Sequence, residues 1–173
     1  WENQNNEESI LEIQYSEKAK SGDWGGWNIN GNFASLWLGP RNPVGDENAF
    51  PGWSIAVPTW DLADAFEAGD PRKYVTIYDA DANLTSYTKG FQNTGMFNKK
   101  YMASSKYIFQ GGDPQHNFPR NFIDMRFAEV LLTAAELWLT DDPGKARDYF
   151  NRVRTRSLGE ASAKTSITLD DIY

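Results

Sequence analysis

The chain has 173 residues and no cysteine. That excludes disulfides, thiolate catalysis and cysteine metal sites, and leaves the redox compartment open. A single histidine, His116, removes most zinc sites and His-based catalytic arrangements. No apolar run reaches the ~18 residues that a membrane-spanning helix needs. Positive charge is scarce: 17 Lys and Arg stand against 24 Asp and Glu, a formal charge of -7. An acidic surface repels phosphates, so nucleic acid is not an expected partner, and neither is an anionic membrane surface. No secretion signal is visible and Trp1 opens the chain, so a mature product or a fragment is expected.

Aromatics, in contrast, are plentiful. Seven Trp, eight Tyr and ten Phe make up 14% of a chain whose mean hydropathy is only -0.64. Some of these rings must therefore sit among polar, loop-like neighbours.

Residues 9–15 place Leu11, Ile13 and Tyr15 at period two, which predicts a strand. Residues 21–53 fit no helical or strand period, yet carry Trp24, Trp27, Trp37 and Trp53 among Gly, Asn and Pro. Long loops of this kind often carry function. Thr59 can cap a short helix with Leu62, Ala65 and Phe66 on one face. Gly69–Arg72 reads as a turn and Lys73–Tyr78 as a strand. Residues 79–122 read as irregular.

The clearest segment follows. Asp124 can cap a helix running to about Thr140, with Ala128, Leu131, Leu132 and Ala135 at i, i+3, i+4 and i+7. Asp142-Pro143 restarts a helix, with Asp as cap and Pro at the first position. Ala146, Tyr149, Phe150 and Val153 repeat the spacing. So short a turn predicts an antiparallel, tetratricopeptide-like pair. Thr168 and Asp171 can form a capping box for a further helix, whose first turn ends at Tyr173. The expected fold class is mostly α, with short β segments, long loops and one helical hairpin.

Sugar rings offer apolar C–H faces and hydroxyl rims. An indole covers the first, and Asn, Asp or Arg side chains meet the second. Gly22–Asn32 supplies both parts: Trp24 and Trp27 lie among Asp23, Asn28, Asn30 and Asn32. Packing of the loop onto the helices is the alternative use of these Trp residues. Trp37 and Trp53 have more apolar neighbours. Arg41 and Asn42 are further polar candidates. Trp138 is expected to pack in the hairpin, and His116 to be a solvated loop residue. Asp79-Ala80-Asp81-Ala82-Asn83 begins like a calcium loop, but Leu84 and Gly90 stand where Gly and Glu are required. No motif fixes the paired carboxylates of a glycosidase, and there is no phosphate loop or nucleophile elbow.

Several stretches, in order, resemble the SusD/RagB family. Ser9–Tyr15 is similar to that family's opening C-terminal strand. Val57–Glu67 with Gly69-Asp70-Pro71-Arg72 resembles its short helix and DPR turn. Met125–Glu136 looks like its RYADVLLMYAEA helix and Ala146–Arg156 like its INxVRxRAG helix. Thr168–Tyr173 resembles the lead into a further helix. The resemblance implies a C-terminal, truncated portion of a surface-exposed outer-membrane lipoprotein from Bacteroidetes-like bacteria. Residues 1–122 would be the loop-rich glycan-binding part, residues 123–158 the hairpin, and residues 167–173 the start of a cut helix. It also implies non-catalytic capture of a glycan for a TonB-dependent SusC-like transporter, with no cofactor, metal or catalytic residue. Any membrane attachment would run through a lipid anchor that this chain does not contain. Arg126 and Arg154, at family positions, are expected to be structural. Capture of peptides or other nutrients by the same family, a protein-binding helical scaffold, and glycoside hydrolysis are the alternatives.

Overall fold

The computed structural model describes residues 3–18, 30–107 and 113–173. In chain order these form β1 (Ser9–Ile13), α1 (Ala34–Trp37), β2 (Arg41–Val44), α2 (Trp60–Asp64), α3 (Pro71–Thr76), β3 (Ile77–Asp79) and α4 (Ala80–Asn83). There follow β4 (Ser86–Thr88), β5 (Met96–Asn98), β6 (Phe122–Arg126), α5 (Phe127–Trp138), α6 (Pro143–Leu158) and α7 (Leu169–Ile172). Helices dominate, with short strands and long connections, which is the expected class. The chain forms two compact units. One comprises Gln14–Phe122, the other Asn3–Ile13 with Ile123–Tyr173.

In the second unit, α5 and α6 pack on each other through Ala128, Leu131 and Val153, with Leu132 and Tyr149 beside them. Ala135 and Ala146 are fully buried, so the two backbones approach closely. Burying each large apolar side chain contributes about 1.5–3 kcal/mol. α6 starts as its sequence dictates: the Asp142 carboxylate accepts from the Lys145 amide at 3.0 Å, and Pro143 is the first helical residue. The α7 capping box is also formed, with Asp171 in the place of the usual Glu. Arg154 donates from Nε to the Ser162 carbonyl at 2.8 Å, a structural role. Trp138 is partly exposed at 37%, with the Lys145 ammonium 3.6 Å from the centre of its ring.

The start of α5 departs from expectation. Asp124 does not cap a helix; it lies within β6, which pairs with β1. The Phe127 amide, which a cap would otherwise serve, donates to the Glu8 carbonyl at 2.7 Å. Strand pairing satisfies the backbone that a side-chain cap would have satisfied. β1 lies where the period-two pattern puts it, but Leu11 and Ile13 remain half exposed.

In the first unit, β2 pairs antiparallel with β4, and β3 with β5. The β2–β4 register breaks between Arg41 and Val44, where Asn42 has φ +47 and Pro43 offers no amide donor. Residues 73–76 are helical rather than extended, and the strand begins at Ile77. The reason is local. Asp70 accepts from the Arg72 amide at 2.8 Å and grips the Arg72 guanidinium, while Pro71 occupies the first helical position. A cap is worth about 1 kcal/mol, more than the few tenths by which Val and Thr disfavour a helix. In α2, Thr59 caps as expected, accepting from the Leu62 amide at 3.2 Å. Leu62 nevertheless points outward, and Ala63 is the residue buried against Ile77, Met96 and Phe66. The Trp-bearing stretch is not wholly irregular, because α1 and β2 fall within it.

Candidate functional site

Trp24, Trp27, Asp23 and Asn28 lie outside the described residues, whereas Asn30, Trp37, Arg41 and Trp53 lie within them. The flanks of the undescribed segment are closely tied. The Ser16 amide donates to the Asn30 carbonyl at 2.8 Å. The Gly31 amide donates to His116 at 3.1 Å, and the Asn32 amide to Phe118 at 2.7 Å. Asn32 is 3% exposed; its side chain donates to the Arg120 carbonyl at 2.8 Å and accepts from the Ala34 amide at 3.1 Å. Gly31 is required here, because a Cβ would stand 2.3 Å from the His116 carbonyl oxygen.

This anchoring corrects the reading of His116, which is buried and not solvated. Asp113 opens a 3-10 turn over Pro114–His116 by accepting from the Gln115 amide at 2.9 Å. The turn presents the His116 carbonyl to Gly31 and lays the imidazole 5.8 Å from the Phe33 ring.

Phe33 organises the tryptophans. It meets Trp37 edge-on at 5.7 Å and Trp53 edge-on at 5.5 Å, both close to perpendicular. Edge-to-face pairs of this kind add about 0.5–1.5 kcal/mol each beyond their buried area. Trp37 keeps 40% of its surface exposed, and Trp53 is half-buried. Backbone bonds hold the pair in place, from the Trp53 amide to Leu36 and from the Ile55 amide to Trp37, both at 2.9 Å.

Arg41 stands beside them, exposed, with Nε donating to the Trp53 carbonyl at 2.8 Å. Asn42 bonds Thr88 at 3.1 Å. Arg41 and Ser54 form one wall of an open cavity of about 220 Å³ that is completed by Val57, Phe91, Gln92 and Asn93. Phe91 is fully exposed there. Its signal in the sequence is a lone aromatic in the polar turn Gly90–Asn93. The lining provides one aromatic ring, Phe91, a guanidinium and amides, and among the described residues it contains no carboxylate. Such a set can stack on a ring and bond its hydroxyls.

The acidic run at 79–83 has other uses. Asp79 caps α4, accepting from the Ala82 amide at 3.0 Å. Asp81 accepts from the Tyr87 hydroxyl at 2.9 Å and from Lys89 at 3.2 Å, and these bonds hold its carboxyl below the usual range. Tyr78, buried and donating to Asp46 at 2.9 Å, has its phenol pushed far above its ordinary value.

Comparison with known proteins places the fold. A SusD-like protein of Bacteroides ovatus is 30% identical over 191 residues, covering 99% of this chain and 32% of its own length. The solved structure of a laminarin-binding SusD-like protein is similar at a TM-score of 0.86 and 32% identity, covering 99% of this chain and 38% of the other. Surface glycan-binding protein A of Bacteroides thetaiotaomicron, solved with laminarihexaose, is similar at a TM-score of 0.81 and 29% identity, over 95% of this chain and 38% of the other. The chain spans between 24% and 32% of the length of the curated relatives it matches. A family profile described as the SusD family matches residues 7–169. With five ordered sequence motifs and the hairpin of α5 and α6 in place, the chain belongs to the SusD family.

Proposed function

We propose that this chain is part of a non-catalytic, cell-surface glycan-binding protein, and that its first unit carries the ligand contacts. The observation that carries the reading is the Phe33-braced pair Trp37 and Trp53, with Arg41 at its edge and a carboxylate-free cavity alongside. The relatives that bind laminarin and laminarihexaose support a neutral glucan as the ligand. Trp24, Trp27, Asp23, Asn28 and Asn30 complete the proposed contact set, on the strength of the indole rings and polar side chains that Gly22–Asn32 combines in sequence. Family kinship supports a lipid-anchored location on the outer membrane and delivery of the glycan to a TonB-dependent SusC-like transporter.

The test is native electrophoresis of the full-length protein through gels containing laminarin or other neutral polysaccharides, with an assay for new reducing ends. Retardation without reducing-end release is the expected result. Release of reducing ends would overturn the non-catalytic reading. Failure to bind any glycan, together with binding of peptides, would transfer the function to peptide capture.

A further inference from the structure

A second cleft in the same unit, outside the Trp37–Trp53 site, lies between α2 and α3 and encloses about 380 Å³. That is within the range of about 300–1,000 Å³ typical of small-ligand sites. Trp60, Ala63 and Asp64 fall at i, i+3 and i+4 of α2 and so share a face. Ala63 is buried into the floor with Ile77 and Met96, which leaves Trp60 and Asp64 on the rim. On the facing element, Lys73 and Tyr74 line the other side.

Trp60 and Tyr74 are 62% and 68% exposed. Neither ring touches the other among the described residues, and neither contributes to the apolar clusters. Rings this exposed contribute little buried area to the fold. The polar groups of the cleft divide into two sets. Asp79, Asp81 and Thr94 are committed: Asp79 to the Ala82 amide, Asp81 to Tyr87 and Lys89, and Thr94 to the Pro58 carbonyl at 2.8 Å. Asp81 is held against Gly95, whose φ is +78 and where a Cβ would stand 2.5 Å from Oδ2. Asp64, Lys73, the Trp60 N–H and the Tyr74 hydroxyl have no hydrogen-bond or ion-pair partner among the described residues.

We propose that this cleft is a second glycan subsite, in which a neutral pyranose ring rests on Trp60 and Tyr74 and its hydroxyls bond Asp64 and Lys73. The inference rests on the glycan-binding reading above and extends it from one contact surface to two. Three carboxylates, Asp64, Asp79 and Asp81, line the cleft against the cation Lys73, with Lys89 paired to Asp81, so the carboxylates remain in excess. That balance disfavours uronates and sulfated sugars, so a neutral ring is selected. Two subsites on one unit would also favour long chains over short oligosaccharides, since the second contact becomes intramolecular once the first has formed.

The test uses the full-length protein in gels carrying laminarin, xyloglucan, amylopectin, galactomannan or, as the anionic arm, polygalacturonate. Trp60→Ala with Tyr74→Ala should weaken retention by the bound neutral polysaccharide about three- to tenfold. Trp60→Phe, which keeps a ring, should stay within about twofold of wild type. Because both side chains are mostly exposed, the variants keep their fold, and unchanged circular dichroism and melting temperature verify it. If wild type is retarded and the double variant is retarded equally, the second subsite is wrong while the glycan-binding reading stands. An equal loss on polygalacturonate would overturn the neutral-sugar assignment. If wild type is retarded by none of the five polysaccharides, both readings fall.

Discussion

Arg41 donates its Nε–H to the backbone carbonyl of Trp53 at 2.8 Å, linking two positions 12 residues apart. The bond ties Arg41 to the backbone of Trp53, and Arg41 lines the cavity that Ser54 and Phe91 share. Arg41→Ala removes one charge-assisted hydrogen bond, worth about 1.5–3 kcal/mol where desolvated and less at an exposed position such as this. A three- to tenfold rise in glycan Kd is expected, with little change in melting temperature. Isothermal titration of wild type and variant checks both. Arg41→Lys should recover only part of the loss, because an ammonium cannot reproduce the planar fork.

Trp24 and Trp27 are proposed as stacking surfaces. Residues at the centre of a binding surface cost about 2 kcal/mol or more when truncated, which is roughly 30-fold in affinity. Trp24→Ala and Trp27→Ala should each abolish most gel retardation. Equal retardation of both variants and wild type would show that these side chains serve packing instead.

Gly31 packs against the backbone of residues 116–118. Gly31→Ala drives a methyl against the His116 carbonyl and the Phe118 amide. Overpacking against backbone costs typically about 1–3 kcal/mol. At about 2–4 °C per kcal/mol for a chain of this size, the melting temperature should fall by several degrees. A melt followed by circular dichroism reads this directly. Glycan affinity should fall as well, since the anchored flank must shift.

Asp142→Ala removes the cap of α6 and should destabilise the second unit by about 1 kcal/mol. Glycan affinity measured well below the melting temperature should stay as in wild type, because the proposed contacts lie in the other unit. A loss of affinity would show that the hairpin contributes to the ligand site.

The capping box of α7 carries a pH signature. Lys164 first, then the Thr168 amide and hydroxyl, hold the Asp171 carboxyl down to about 2, against an ordinary value of 3.8. The folded value lies below the unfolded one. The bonds are therefore fully formed above about pH 4 and are lost as the pH falls from 3.8 toward 2. Amide protection in α7 should collapse across that window, and Asp171→Asn should remove it already at neutral pH. Hydrogen exchange read by mass spectrometry distinguishes an α7 that frays in this way from one that is indifferent to pH.

Local signals of short range were legible in the sequence. Asp142-Pro143, Thr59 and the Thr168–Asp171 box each start a helix as read, because a cap and the amide it satisfies lie within four residues of each other. The apolar spacing over Ala128–Ala135 and Ala146–Val153 likewise identified the buried faces of α5 and α6. Over Lys73–Tyr78 the β-prone run predicts a strand, but the cap at Asp70-Pro71 prevails and residues 73–76 are helical. Asp124 joins a strand instead of capping a helix for a different reason: its strand partner, β1, lies more than 100 residues earlier in the chain.

The sequence by itself determined the family, the helical hairpin and the presence of more aromatic rings than so polar a chain needs for its core. Which rings do what was decided by tertiary structure. His116 is buried because Gly31 needs its carbonyl. Phe33, unremarked in the sequence, sets the angles of Trp37 and Trp53. Trp60 faces an open cleft because Ala63, its neighbour on the same helical face, takes the place in the core. Exposure and ring geometry depend on which distant segments meet, and no local pattern of residues encodes that meeting.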